Sequence, residues 1–459
     1  MKPTRSSVHR KTHAVPTLRF DESQKLTSFA GLVLFQKLFA LLDLKARLRG
    51  CYDHMTVHPI FGHATIVLLL VVHLLLGYRR LRELAYYQDD PMVLRLLGLR
   101  KLPDVATLSR ALAQVDASSV DKLRTLVRRL VLDRLEKMAP ARVTLDFDGS
   151  VISTGRRAEG TAVGYNRRKK GQRSYYPLLC TVAQTGQVLD VLHRPGNVHD
   201  SRGAREFIQG CIQEVSRALP GVQIEVRMDA AFYADAIVVM LAGMGVEFTI
   251  SVPFERLVAL KAIIEGRKRW WRIDDRWSYF SPQWKPKVWA RRQRLVVVRQ
   301  KVKVQDKEPL QLDLFRPYEY GYAFKAIVTN KAVGAKKVLA YHNGRGSQEG
   351  VFAELKSQAA MDYVPTRTLA GNQSYLLAAI LAHNLARELH MVVEAPVRAT
   401  NEKRAARWSF VQLSTLRQRL VQRGGRLLYP NGRLTLAMSA NAKIERELGR
   451  YLDALDRAA

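Results

Sequence analysis

From Leu26 to about Lys137, apolar residues recur every three or four positions, as in Leu32, Phe35, Leu38, Phe39 and Leu42. That spacing places them on one stripe of a helix and predicts a helical N-terminal region. Pro103 followed by Asp104-Val105-Ala106-Thr107 reads as a capped helix start within it. The most apolar run, Ile66 to Leu76, is interrupted by His73. It has about half the length needed to span a bilayer, so it reads as a buried helix with a core histidine. Near Arg142 the period changes from helical to alternating: Val143-Thr144-Leu145-Asp146-Phe147-Asp148 is a strand pattern. Further strand-like runs follow at Tyr176 to Val182, Gln187 to Arg194 and Ile224 to Met228, with helical stretches such as Ser201 to Leu219 between them. Strands alternating with helices predict an α/β sheet.

The remaining pattern divides the chain further. Leu295 to Val304 and Phe324 to Thr329 are rich in β-formers and cations, which predicts a β-rich insertion. After Ser347 the pattern is helical to about Glu394, and the basic tail reads as helical with a break at Gly424-Gly425. The expected organisation is a basic arm (1–20), a helical N-terminal domain for DNA binding or assembly (21–140), and a first core segment (141–252). A β-rich insertion (253–340), a second core segment (341–395) and a basic helical C-terminal region (396–459) complete it.

Charge narrows the function. Among 459 residues, 74 Lys and Arg stand against 41 Asp and Glu, a net charge of +33. Such an excess repels itself unless a polyanion neutralises it, and nucleic acid is the usual one. Hydrophobic residues make up 47%, enough for packed cores rather than a disordered chain. Cys51, Cys180 and Cys211 are too dispersed for a metal motif or a disulfide framework, so free thiols in a reducing cytoplasm are expected. The start of the chain shows no signal-peptide pattern. A membrane role and a small-molecule substrate are therefore not expected.

The carboxylates carry the candidate chemistry. Asp146 and Asp148 lie two apart on the alternating strand and face one side, with Val143, Leu145 and Phe147 on the other. Acids at the end of an apolar strand are costly unless a cation meets them, which points to a divalent metal. The competing reading is a turn at Asp148-Gly149-Ser150. Asp229 ends the strand Ile224 to Met228, where a helix N-cap is the alternative. Further on, Tyr341, Arg345, Glu349 and Lys356 follow at offsets of 4, 4 and 7. In a helix, Arg345, Glu349 and Lys356 fall within about 40° of one another, with Glu354 on the far side. Two strand-end aspartates and a helical glutamate can hold two Mg²⁺ ions, or Mn²⁺ in their place, on a phosphodiester.

The ordered series of motifs resembles the DDE transposases of bacterial insertion sequences. It runs through Leu26-Thr27-Ser28-Phe29-Ala30-Gly31, Asp89-Asp90-Pro91, Leu145 to Ser150, Tyr176-Pro177-Leu178-Leu179, Arg194-Pro195-Gly196-Asn197 with His199, Arg227 to Tyr233, and Tyr341 to Arg345 with Glu349 and Lys356. The closest likeness is to the branch with a Tyr-Arg-Glu-Lys signature, and within it to insertion-sequence family 1380. Three residues separate Tyr341 from Arg345, where that signature usually has two. The resemblance implies an α/β RNase H-like catalytic core with a β-rich insertion and an all-α N-terminal domain. It implies Asp148, Asp229 and Glu349 as metal ligands, Asp146 being the alternative first aspartate, and Tyr341, Arg345 and Lys356 as DNA contacts. The expected activity is metal-dependent excision and joining of double-stranded DNA, transposon ends to target, by a homodimer in the cytoplasm at the nucleoid. The rival readings are a transposase-derived DNA-binding protein without catalysis and a structure-specific nuclease with the same core.

Two further clusters point to nucleic acid. Five of the six tryptophans (Trp270, Trp271, Trp277, Trp284 and Trp289) lie in one span of the insertion, flanked by Lys and Arg. Aromatics among cations suit base stacking, with Trp271 and Trp277 as candidates, although a β-core reading fits most of them. A glycine-rich basic stretch with Arg167, Arg168, Lys169 and Lys170 reads as a loop gripping DNA backbone near the active site.

Overall fold

The computed structural model describes residues 15–57, 59–164, 166, 169–198, 202–302, 321–398 and 406–459. Among the described residues, six α-helices precede the first long strand: α1 (Leu32–Leu41), α2 (Leu44–Gly50), α3 (His63–Leu76), α4 (Pro91–Leu97), α5 (Val105–Ala113) and α6 (Ala117–Met138). Local chemistry sets their ends. Asp90, Asp104 and Asp116 each cap a helix by accepting from a backbone N–H of the first turn, and Pro91 opens α4. The apolar helix α3 is buried from Ile66 to Leu76 and ends where Gly77 turns left-handed at φ 98°. His73 is a core histidine, hydrogen-bonded through Nδ1 to the Tyr87 hydroxyl at 2.7 Å. Burial pushes its pKa down to about 4, so it is neutral.

Ten strands of the described residues form one mixed sheet. They are β1 (Arg142–Gly149), β2 (Leu178–Val182), β3 (Val188–Leu192), β4 (Gln223–Met228), β5 (Glu247–Val252), β6 (Trp271–Arg272), β7 (Trp277–Phe280), β8 (Gln283–Trp284), β9 (Gln293–Lys301) and β10 (Tyr322–Thr329). The order is β6-β7-β9-β10-β5-β4-β1-β2-β3, with β8 paired to β9. Strands β1, β4 and β5 run parallel, and the other neighbours are antiparallel. The strands between 271 and 329 thus extend the central sheet, because β10 pairs along β5 from Thr249 to Val252 and covers an edge that would otherwise be open. Helices α7 (Ala204–Ala218), α8 (Asp235–Gly243) and α9 (Val258–Glu265) pack one face of the sheet, burying Val143, Leu145, Phe147, Val226, Met228, Phe248 and Ile250. A separate small sheet, Ile152–Ser153 with Arg173–Tyr175 and Ala162–Val163, rises just after β1.

The opposite face is covered by α10 (Ala335–Asn343) and α11 (Gly346–Gln358). Helix α12 (Leu369–Val393) then runs back through the N-terminal helices and shares one hydrophobic cluster with them and with α13 (Ala442–Ala458). It is long and apolar enough to cross a membrane by composition, but 89% of its most apolar window is buried inside the protein. The tail departs from the helical expectation: Gly425–Leu428 and Thr435–Met438 form a hairpin that pairs with Leu26–Thr27. The turn-forming Pro430-Asn431-Gly432, with Asn431 and Gly432 both at positive φ, accounts for it.

Helix α11 holds two glutamates in opposite environments. Glu354 is buried, 2.8 Å from Arg387 Nη2 and 3.5 Å from His383 Nδ1 on α12. Glu349 is exposed in the first turn. Removing one partner of a buried ion pair leaves the other charge uncompensated. Glu354→Ala is therefore expected to lower stability by about 3–5 kcal/mol, and Glu349→Ala by less than about 0.5 kcal/mol. Urea unfolding of the two variants measures the difference; equal losses would contradict this account of α11.

Candidate active site

The polar faces of the parallel neighbours β1 and β4 carry a ladder of cross-strand pairs. Thr144 lies opposite Glu225, and its hydroxyl donates to Glu225 Oε2 at 3.0 Å. Asp146 lies opposite Arg227, which donates from Nε and Nη2 to the two carboxylate oxygens at 2.6 Å each. The last paired residues are Phe147 and Met228, so the next step up brings Asp148 and Asp229 side by side. Neighbouring strands are about 4.8 Å apart, close enough for two carboxylates to feel each other strongly. Asp229 ends β4 in an extended conformation and accepts from Ala231 N at 3.0 Å, capping the turn Ala230–Phe232. Asp148 Oδ1 accepts from Gly149 N at 2.8 Å, and Oδ2 accepts from Arg345 Nη1 at 3.0 Å. Burial, then the charge of Asp229, pushes the Asp148 carboxyl up to about 6; Arg345 and the Gly149 N–H oppose this.

Asp146 and Asp148 share a face but differ in environment. Asp146 is 1% exposed and Arg227 8%, so this pair is sealed. Burial raises the Asp146 carboxyl while Arg227 opposes that rise. Arg227 also donates from Nη1 to the Tyr341 carbonyl at 3.0 Å, which fastens α10 to the sheet. A Cβ on Gly344 would stand 2.3 Å from Arg227 Nη1, so any side chain there would have to displace the guanidinium. Gln348 completes the fastening: its Nε2 donates to the Asp146 carbonyl at 2.9 Å and ties the first turn of α11 to β1. Sequence reading missed Gln348. Its only signal was its position one residue before Glu349, with a side chain suited to meeting a strand carbonyl.

The sequence candidates separate into groups. Asp148, Asp229 and Arg345 come together. Glu349 stands exposed in the first turn of the helix that follows Arg345, and it forms no three-carboxylate cluster with the two aspartates. Tyr341 is enclosed: its ring lies between the Arg227 guanidinium at 5.2 Å and Lys331 Nζ at 4.3 Å, and burial pushes its hydroxyl well up. Lys356 sits in the last turn of α11, roughly 16 Å along the helix from Arg345 at 1.5 Å per residue. Among the tryptophans, Trp289 is buried, Trp270 and Trp284 pack against the main core, and Trp277 packs against a smaller cluster under α10. Trp271, on the edge strand β6, is 63% exposed. Lys169 and Lys170 are exposed. Arg167, Arg168 and His199 lie outside the described residues.

Among the described residues, no three His, Cys, Asp or Glu side chains converge closely enough to hold one ion. The Asp148–Asp229 pair nonetheless has the chemistry of a Mg²⁺ site. Its donors are hard carboxylate oxygens, two in number, as Mg²⁺ takes when it keeps water and phosphate oxygens in its remaining positions. Burial and then repulsion from Asp229 lift Asp148, and a cation between the two acids relieves that repulsion.

Residues 14–459 match the model of the family described as transposase DDE domain group 1. The chain belongs to this transposase family. No curated protein matches it. Among solved structures, the transposase is similar to the piggyBac transposase in its synaptic complex with hairpin DNA, with TM-score 0.40 and 13% identity over 78% of this chain and 74% of that one. It is also similar to the Mos1 transposase paired-end complex with the left transposon end, with TM-score 0.18 and 11% identity over 52% of this chain and 61% of that one. The Mos1 mariner paired-end complex with Mn gives TM-score 0.17 and 12% identity over 52% and 62% of the two chains.

The two β1 aspartates of the transposase are expected to affect stability in opposite directions. Asp146→Asn breaks a sealed pair and should cost about 3–5 kcal/mol. Asp148 holds its proton more tightly when folded (about 6) than the ordinary 3.8, so its contribution is fully present below pH 3.8 and lost as pH rises through 6. In chelator at pH 7.5, Asp148→Asn should therefore raise stability by on the order of 1–3 kcal/mol, and the gain should vanish near pH 4. Thermal melts at the two pH values check both signs; a destabilised Asp148→Asn protein at pH 7.5 would refute the electrostatic account.

Proposed function

We propose that this transposase binds the terminal inverted repeats of an insertion sequence as double-stranded DNA, cuts the element free and joins its 3′ ends to target DNA. The observation that carries the reading is the pair Asp148 and Asp229, side by side at the carboxyl ends of adjacent parallel strands. In α/β sheets that edge is where ligands bind. The core formed by β1 to β5, with helices on both faces, is read as RNase H-like, and the signature residues support a reading of the chain as nearest insertion-sequence family 1380.

Asp148, Asp229 and Glu349 would hold two Mg²⁺ ions, with Mn²⁺ able to substitute. When bound, the ions would lower the pKa of a nucleophilic water or 3′ hydroxyl and stabilise the leaving oxygen. Asp148 and Asp229 supply fixed oxygens from the sheet. Glu349 supplies a third from α11, whose first turn Gln348 anchors to β1. Arg345 orients a phosphate through its guanidinium fork, which Lys cannot reproduce. Asp146 keeps Arg227 in place rather than serving as the first ligand, and Tyr341 packs beneath the site between two cations. The exposed Lys169 and Lys170, with Arg167 and Arg168 beside them in sequence, meet the DNA backbone. Lys356 meets it away from the acids. Trp271 is the tryptophan available for stacking on a base, Trp277 being packed. Two transposon ends need two active sites, so the working assembly is a homodimer on DNA, at the nucleoid in the cytoplasm where that substrate lies.

Incubating the protein with DNA from the ends of its element should give cleavage with Mg²⁺ or Mn²⁺ and none in chelator, while binding survives chelation. Asp148→Asn, Asp229→Asn and Glu349→Gln should each reduce cleavage at least about a thousandfold, as loss of a reaction-specific interaction worth roughly 4 kcal/mol does, with end binding nearly intact. Joined products separate a transposase from a nuclease. Full cleavage in chelator would defeat the metal assignment. Separately, Lys169→Ala with Lys170→Ala should weaken binding to every DNA sequence and flatten the plot of log affinity against log salt by about 1.8, at about 0.9 per lost phosphate contact. An unchanged slope would remove this segment from the DNA interface.

A further inference from the structure

We propose that Arg345 is the resident counter-cation of Asp148, exchanged for a divalent ion when the site loads and thereby released to the phosphate. The inference rests on the metal reading above and concerns the order in which cations occupy the acid pair.

Two arginine–aspartate pairs lie two residues apart on β1, and their construction differs. Arg227 grips Asp146 with two nitrogens, adds a third bond to the Tyr341 carbonyl, and is sealed against Gly344. Arg345 reaches Asp148 with one nitrogen, and the two side chains are 19% and 23% exposed. The first pair has no room to open. The second is single-contact and borders solvent, so its guanidinium can leave by breaking one hydrogen bond.

Exchange follows from charge. Mg²⁺ or Mn²⁺ on Asp148 and Asp229 would compete for the Asp148 oxygen that now accepts from Arg345, and a dication there would repel the guanidinium. Burial, then the nearby charge of Arg345, lowers the Lys325 pKa, and Lys325 adds to the positive potential around Arg345 once its carboxylate is taken. A phosphate of the substrate is the natural new partner for the displaced guanidinium. Ion loading and DNA binding would then favour each other, since each supplies what the other displaces.

The test is Mn²⁺ binding to the full-length protein without DNA, measured by calorimetry and by loss of the free-Mn²⁺ electron spin resonance signal. Arg345→Gln removes the competing charge and should tighten Mn²⁺ binding about tenfold, the equivalent of a partly buried ion pair. Arg345→Lys keeps the charge and should stay within about threefold of the parent. Adding end DNA should tighten Mn²⁺ binding to the parent more than to Arg345→Gln. Equal or weaker Mn²⁺ binding by folded Arg345→Gln overturns the exchange. Should Arg345→Gln fail to fold, the parent alone still decides, because Mn²⁺ affinity unchanged by end DNA also overturns it. A different result, no Mn²⁺ bound by parent or variants even with end DNA, would bring down the metal reading itself.

Discussion

The buried pair of Asp146 and Arg227 is the constraint on which the site depends. A carboxylate 1% exposed and a guanidinium 8% exposed are each expensive to bury, and each is tolerable only because the other is there. The pair joins β1 to β4 two residues below Asp148 and Asp229, on the same face, so it helps determine where those two acids stand. Arg227 spends its remaining donor on the Tyr341 carbonyl, and Gln348 holds the Asp146 carbonyl. Two strands and two helices are therefore referenced to one point. A hydrophobic pair of the same volume could pack as well, but it would offer no directional bonds to locate α10 and α11.

This arrangement explains how a chain of charge +33 keeps an acidic centre. Around the carboxylates the cations are paired: Arg227 with Asp146, Arg345 with Asp148, and Lys331 and Arg142 together with Glu225 and Glu247. His342, hydrogen-bonded to Ser251 and Thr249 within the same layer, is pushed down to about 3 by burial and then by Lys325, Arg345 and Arg227, and so adds no charge. The cations paired with the acids are thus distinct from exposed ones such as Lys169 and Lys170.

Much of this was legible in the sequence, for definable reasons. The alternation from Val143 to Asp148 and the run ending at Met228 gave the two strands, because period-two burial leaves a direct trace in residue type. Glu354 was separable from Glu349 because helical angle alone divides them. Three things were not legible. Asp146 and Asp148 are equivalent by alternation, and only the register with Arg227, set by a strand 81 residues later, tells them apart. The tail hairpin pairs with Leu26–Thr27, some 400 residues away, so its edge partner left no local pattern. The tryptophan cluster looked like one feature, yet burial divides it: Trp289 closes the core against Tyr233 while Trp271 projects from an edge strand.

The position of Glu349 follows from the same geometry. Gln348 must point into the sheet to reach the Asp146 carbonyl, and adjacent helical residues lie about 100° apart, so Glu349 is turned toward solvent. Arg345, four residues before Glu349, lies on nearly the same helical face and reaches inward to Asp148 only by the length of its side chain. One residue of the turn is thus committed to the fold, and the two on the neighbouring face remain able to move relative to the aspartates. An anchor between Arg345 and Glu349 keeps the helix fixed while their side chains answer to what binds. This division suits the substrate proposed above, which would bring its own charge: the backbone framework is complete in advance, and the final placement of charged groups would await the phosphates.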